Sequence, residues 1–387
     1  MSAKNGPPDV LIVGAGIIGC ALARELAGRG LRVLVLERGR VGEEASAAAA
    51  GLLNPQSDNR VPGPLFELGL ASLRLYPEWS GALEEETGFS VAYRRTGLLR
   101  CAFDEREEAQ LSGFLWQRER GLSIEWWDAR ALRERLRSRL APEVRSGVFF
   151  PDEGVVDPGL LTRALAAAAR CGGVEIREGT AARRFWIEGD RCRGVETERE
   201  RLPAGCVVDA AGAWAAFDEG LPLAVPVEPV RGQIVELDLG PEEPGTVLHS
   251  ERAYLVPRGN GRALVGSTLE RVGFRKEVTA GAVGDLIREA VRLWPSAPAA
   301  RFVTAWAGLR PASPDGLPVL GPCGIEGLFF ATAHYRHGIL LAPVTALLVA
   351  DRVAGGAAEE LGPFALARFT GARAQGSAET PRSEVFR

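Results

Sequence analysis

An α/β fold, with a parallel sheet completed by strands from distant parts of the chain, is what this sequence predicts, on three observations. Near the start, an apolar run (10–13), a glycine-rich turn (14–19), a helical pattern and a second apolar run (33–36) form a βαβ unit. Much later, residues 207–212 repeat the step from apolar strand to small-residue turn. Later still, His334 to Gly338 leads a strand into a helix through another glycine. A length of 387 residues suggests two or three folding units.

Taken in order, Val10-Leu11-Ile12-Val13 is apolar throughout, as in a strand covered on both faces. Ile18, Leu22 and Leu26 recur every fourth residue, Gly30 offers a helix stop, and 33–36 is a second buried strand ending at Glu37. From about Leu65 to Arg145 the chain is helical in tone, rich in Leu, Glu and Arg. Asp157-Pro158 supplies an N-cap and first helical residue for a helix through Ala169. Residues 174–200 read as short strands turning at Gly179 and Gly189-Asp190. A hairpin follows, 254–257 and 263–266, joined by Gly259-Asn260-Gly261. The strand 328–331 is expected to be buried, and the helix 339–353 to carry Pro343 in its first turn.

Composition excludes several functions. Lys+Arg 46 against Asp+Glu 50 leaves a net charge of −4, wrong for a phosphate-neutralising nucleic-acid binder. The lysines are Lys4, in a polar tail, and Lys276, in a charged stretch, which argues against Schiff-base chemistry. Six cysteines form no CxxC pair, and His249, His334 and His337 form no HExxH, so no metal site is expected. No apolar run reaches the roughly 18 residues of a membrane span. The first apolar stretch follows Asp9 and is broken by glycines, unlike a signal peptide. The expectation is a cytoplasmic protein with no membrane or nucleic-acid partner.

The motif Gly14-Ala15-Gly16-Ile17-Ile18-Gly19 has the context of a dinucleotide site, between a strand and a helix. Gly14 permits the tight turn, Gly16 lets backbone N–H groups approach a pyrophosphate, and Gly19 lets helix and strand pack closely. The helix N-terminus attracts the anion. Glu37, about 20 positions on at the next strand's end, suits a ribose hydroxyl pair. The plain alternative is an ordinary βαβ turn with Glu37 a solvated strand end. A signature at the extreme N-terminus, with further small-residue turns at 207–212 and 338, suggests FAD stretched across a discontinuous domain.

At this point the residues resemble a family. VLIVGAGIIG at 10–19, LERGRVGEEASAAAAGLL at 36–53, YLVPR at 254–258, WAGLRPASPDGLPVLGP at 306–322 and HYRHGILLAP at 334–343 carry it. Over nearly its whole length the chain resembles the glycine oxidase branch of the D-amino-acid oxidase flavoprotein family, the oxidases of bacterial thiazole biosynthesis. The resemblance implies a hydroxybenzoate-hydroxylase-type fold: a discontinuous Rossmann-like FAD domain (1–84, 150–218, 304–374), an antiparallel-sheet substrate domain (85–149, 219–303) and a disordered tail (375–387). It places non-covalent FAD on Ile17, Ile18, Glu37, Arg38, Ala45, Ser46, Ala50, Gly51, Leu52, Ala182 and the loop His334, Tyr335, Arg336, His337, Gly338, Ile339, Leu340. Sarcosine oxidases carry their linking cysteine at the position of Gly308.

The implied reaction oxidises the Cα–N bond of a small amino acid, a hydride passing from Cα to the flavin, with the imine hydrolysed and O2 reduced to H2O2. That chemistry belongs to the flavin, so the protein must hold the substrate, anchor its carboxylate and control water. By the same match Arg310 is the carboxylate anchor, its planar fork suited to bidentate binding. Arg336 is a second active-site residue, or instead pairs with a carboxylate. Tyr254 supplies a pocket hydroxyl, or is a half-buried hairpin tyrosine. Leu269 is expected on the pocket wall where relatives carry methionine, and His337 stands where the branch commonly has asparagine. The resemblance further implies a homo-oligomer, commonly a tetramer, and a thiazole synthase receiving the product. Alternatives are a sarcosine or D-amino-acid oxidase or dehydrogenase without a thiamine role, and a non-catalytic flavin-binding protein.

Overall fold

The structure, a computed structural model, describes residues 6–136, 139–215, 217–218, 221–357 and 359–369. The expected tail at 375–387 lies outside them.

The βαβ unit forms as the pattern predicts: strand Val10–Val13, helix Ile17–Gly28 and strand Val33–Leu36, with every residue of both strands buried. These strands lie inside a six-stranded sheet in the order Val319–Pro322, Leu328–Thr332, Cys206–Asp209, Val10–Val13, Val33–Leu36, Glu175–Arg177. All neighbours run parallel except the edge pair Val319–Pro322 and Leu328–Thr332. The chain leaves Val10–Val13 to one side for Val33–Leu36 and returns on the other with Cys206–Asp209, which opens a crevice at their carboxyl ends.

Apolar side chains cover both faces. On one, the helices Ile17–Gly28, Pro158–Cys171 and Gly338–Val353 pack around Leu22, Leu26, Leu165 and Val349. On the other, a three-stranded antiparallel sheet spanning 184–203 contributes Phe185, Val195 and Leu202 against Leu11, Leu34 and Val207. Asp157 caps its helix as expected, accepting a hydrogen bond from Leu160 N at 2.8 Å. Pro343 lies past the first turn, because the last helix starts at Gly338. The carbonyl of Ile339, which proline cannot serve, accepts the Tyr76 hydroxyl instead, and Ser72 Oγ donates to Leu340 O at 2.6 Å.

The second sheet has eight strands, ordered Arg301–Ala312, Glu228–Asp238, Arg262–Gly266, Tyr254–Pro257, Val247–His249, Leu98–Ala102, Ser146–Phe150, Glu125–Asp128. It is antiparallel apart from one parallel pair, Val247–His249 with Leu98–Ala102. The helix Ala280–Leu293 covers one face through Leu286, Ala290 and Leu293, and the other face turns toward the nucleotide crevice. The boundary expected at 304 falls inside the strand Arg301–Ala312, which belongs to this sheet. The helical tone of 65–145 holds for the helix Pro64–Thr87 and for the short helices Glu105–Ser112 and Ala129–Arg135, but not between them. There Leu98–Ala102 and Glu125–Asp128 are strands, because cross-strand pairing with Ser146–Phe150 outweighs weak local propensity.

Candidate active site

One continuous cavity, of about 340 Å³, runs from the crevice of the first sheet to the face of the second, a size suited to a bound ligand. Its nucleotide end is built by the glycine turn. Gly14 has φ +101°, and a Cβ there would lie 2.6 Å from Ala210 O, so a side chain is excluded by both strain and contact. At Gly19 a Cβ would meet Gly14 O at 1.9 Å, which is why helix and strand can close on each other. Gly16 precedes a helix with no acidic residue in its first turn; Ser46 Oγ accepts the Ile17 N–H at 2.9 Å. Glu37 is fixed at the crevice edge by accepting from Ala15 N and Gly39 N, each at 2.8 Å.

The sheet end is built by alternate residues of three strands. Gly232 faces Gly308 in register, with Val230 opposite Arg310. The Arg310 guanidinium lies over Gly232, where a Cβ would fall 2.2 Å from Nη2. Nη1 donates to Thr268 O at 3.1 Å and Nη2 to Ser267 Oγ, which leaves further N–H groups of the fork for a ligand. Burial lowers the Arg310 pKa, with Tyr254 and Tyr335 opposing that effect. Tyr254 lies across Gly266, where a Cβ would approach its hydroxyl to 2.6 Å.

Of the sequence-predicted residues, the cavity brings together Gly14, Gly16, Ile17, Ile18, Glu37, Arg38, Ala45, Ser46, Ala50, Gly51, Leu52 and Ala182. From the other end it takes Tyr254, Arg310, His334, Tyr335, Arg336, Gly338 and Ile339. Gly19, His337 and Leu340 stand behind the wall. Leu269, expected on the wall, is instead 43% exposed and outside the cavity, with Ser267 turned inward in its place. Of the two openings left for Arg336, the structure contains an ion pair: Nη2 donates to Asp58 Oδ2 at 3.1 Å.

Asp58, His249 and Asn54 also line the cavity, and sequence reasoning did not single them out. Burial pushes the Asp58 carboxyl up, but Arg336, His337, Arg100 and His249 outweigh it and hold it at about 2. Burial lowers His334 and His249 to about 3 and His337 to about 4, so all three are neutral at pH 7. His334 Nε2 is 3.1 Å from Thr345 Oγ1 and His337 Nε2 is 3.4 Å from Asp58 Oδ2, structural partners for both. Among the described residues no group of three His, Cys, Asp or Glu side chains could hold a metal ion. No described helix is long and apolar enough to cross a membrane.

The lining of the cavity suits a flavin dinucleotide. Two helix N-termini open on it, at Gly16 and at His337-Gly338, neither capped by the side chain of its own N-cap residue and neither with an acid in its first turn. Each favours negative charge, one beside the glycine turn and one beside the loop 334–338. Gly308 presents no nucleophile, and its Cα is backed by Ala48.

A nucleotide crevice in one sheet, continued into a small chamber under a second, defines a flavin-dependent oxidoreductase. The chain belongs to the DAO family, described as FAD dependent oxidoreductase, which it matches over residues 9–352. It is an FAD-dependent enzyme. It is 38% identical to the glycine oxidase of Geobacillus kaustophilus, over 94% of this chain and 97% of that protein. The crystal structure of glycine oxidase from that organism superposes with a TM-score of 0.89 at 36% identity, covering 93% of this chain and 98% of that one. The chain is also 37% identical to the bifunctional protein ThiO/ThiG of Trichormus variabilis, matching 89% of itself but spanning only 52% of that longer protein.

Proposed function

We propose that this chain oxidises glycine and other small amino acids of the sarcosine and D-alanine class. The products are the imine or 2-oxo acid and H2O2, and the glycine imine feeds thiazole formation for thiamine. The observation that carries the reading is Arg310: a half-buried guanidinium facing the cavity with no carboxylate within 4.0 Å among the described residues. A small zwitterion supplies the missing partner, in charge-assisted hydrogen bonds worth roughly 1.5–3 kcal/mol each.

FAD, when bound, supplies the two-electron acceptor. The glycine turn, Ser46 and the first helix would hold its pyrophosphate, Glu37 its ribose, and the loop 334–338 its ring. With glycine at position 308 the cofactor is held non-covalently. Arg310 fixes the substrate carboxylate and Tyr254 offers a hydroxyl beside it. Ala50, Leu52 and Ile234 give the chamber apolar walls that limit water. No side-chain base is required when the amine binds neutral.

The match to glycine oxidase over nearly the whole of both chains supports glycine as substrate. The thiazole-biosynthesis resemblance names thiazole synthase as receiver of the product, and the bifunctional ThiO/ThiG relative supports a second, partner activity. The resemblance also implies a homo-oligomer, and the reduced-thiol pattern of the cysteines supports a cytoplasmic setting. Purified holoprotein mixed with glycine under air should yield H2O2, glyoxylate and ammonia, and its reduced flavin should reoxidise faster with O2 than with a quinone. Flavin retained without turnover of glycine, sarcosine or D-alanine would reject the reading.

A further inference from the structure

Two guanidiniums face the sheet end of the cavity, and their partners differ. Among the described residues Arg310 donates to Thr268 O and Ser267 Oγ and has the Tyr254 hydroxyl beside it, all uncharged. Arg336 is paired with Asp58, itself a cavity-lining residue whose side chain is only 11% exposed. Asp58 is also held in place. Glu153 Oε1 accepts from both Gln56 N and Ser57 N at 2.7 Å, and Gln56 Nε2 donates to Gln117 Oε1 at 3.2 Å. The turn that carries the carboxylate is therefore pinned through buried groups, and Asp58 Oδ2 lies between Arg336 Nη2 at 3.1 Å and His337 Nε2 at 3.4 Å.

We propose that Asp58 sets the substrate class: it cancels the charge of Arg336, leaves Arg310 to bind the substrate alone, and so restricts the site to amino acids with one carboxylate. Two unpaired guanidiniums in one chamber would welcome a dicarboxylic amino acid. With Asp58 in place, a second carboxylate meets an arginine whose charge is already paired and an aspartate that repels it, and specificity comes from that repulsion. The carboxylate remains ionised throughout the useful pH range, since the Arg336 and Arg100 guanidiniums beside it outweigh its burial. The inference rests on the amino-acid oxidation proposed above.

The test uses the flavin-loaded Asp58→Asn variant, which keeps the shape of the side chain and an acceptor for Arg336 while removing the charge. The readout is kcat/KM for iminodiacetate and for D-aspartate, each divided by that for glycine. Both ratios should rise tenfold or more, and the further change Arg336→Leu should abolish the gain. A smaller rise in a variant that still oxidises glycine overturns the proposal. A second measurement needs no variant: flavin-absorbance titration of the wild-type holoenzyme with acetate, malonate and succinate. The diacids should bind no more tightly than acetate; tenfold tighter binding of either would show Arg336 available and overturn the proposal. Failure of the parent reading shows differently, as a wild-type enzyme inert toward glycine, while the titration still reports on Arg336.

Discussion

A Cβ added at Gly232 would lie 2.2 Å from Arg310 Nη2 and 2.3 Å from Cζ and Nη1. Ordinary contacts between such atoms are about 3.5–4.0 Å, so in Gly232→Ala the guanidinium must retreat by more than about 1 Å. The backbone need not move. Gly232 sits in a regular strand opposite Gly308 and is not among the positive-φ glycines, and the atoms in the way are the far end of a long side chain. The fold and the nucleotide crevice are spared while the anchor is displaced. Each charge-assisted hydrogen bond lost to the substrate is worth about 1.5–3 kcal/mol, or roughly 10- to 150-fold in kcat/KM. The assay is H2O2 production against glycine concentration, with flavin content and Tm measured on the same sample. The loss should fall mainly on KM. A fully FAD-loaded Gly232→Ala enzyme with a glycine KM within twofold of wild type would refute the reasoning.

Three further outcomes follow from the same geometry. Tyr254→Phe keeps the ring over Gly266 and removes the hydroxyl; flavin binding should persist, and kcat/KM for glycine should fall roughly 2- to 13-fold, the range of one net hydrogen bond. Gly14→Ala places a side chain at φ +101° and 2.6 Å from the Ala210 carbonyl, so the purified protein should lose its flavin absorbance or fail to fold, whereas a normal flavin content would contradict the close approach. Burial raises the Glu153 carboxyl to about 8, against the opposing N–H bonds from Ser57 and Gln56 and the charge of Arg100. A raised acid stabilises the fold while protonated, so its contribution is complete below the ordinary value of 4.5 and is lost as pH rises toward 8. Wild-type Tm should therefore drop between pH 5 and pH 8 relative to Glu153→Gln, and parallel pH profiles would contradict that sign.

The four central strands of the first sheet were legible because they are almost wholly apolar and their turns need glycine. Val10–Val13, Val33–Leu36 and the helix between them follow from those two constraints alone. The second sheet was harder to read. Its two longest strands, Glu228–Asp238 and Arg301–Ala312, carry Pro229, Gly232, Gly308 and Pro311, residues that ordinarily signal turns. Here the two prolines face each other in register, and the two glycines open room for Arg310 and Ala48. The strands Leu98–Ala102 and Glu125–Asp128 are short and hold residues equally at home in a helix, so only their neighbours decide them. Arg310 and Tyr254 were found through motifs that travel with the fold. Asp58 was invisible because it sits in a polar stretch like any surface turn, and its partner lies 278 residues away.

Anaerobic titration of the flavin absorbance with glycine, in wild type and in Arg310→Ala, tests most directly whether this guanidinium holds the substrate. Wild-type flavin should bleach with saturable dependence on glycine, and the variant, equally loaded with FAD, should need far higher concentrations to reach the same extent. A wild-type spectrum unmoved by glycine, or identical half-saturation in the two proteins, would place the carboxylate elsewhere.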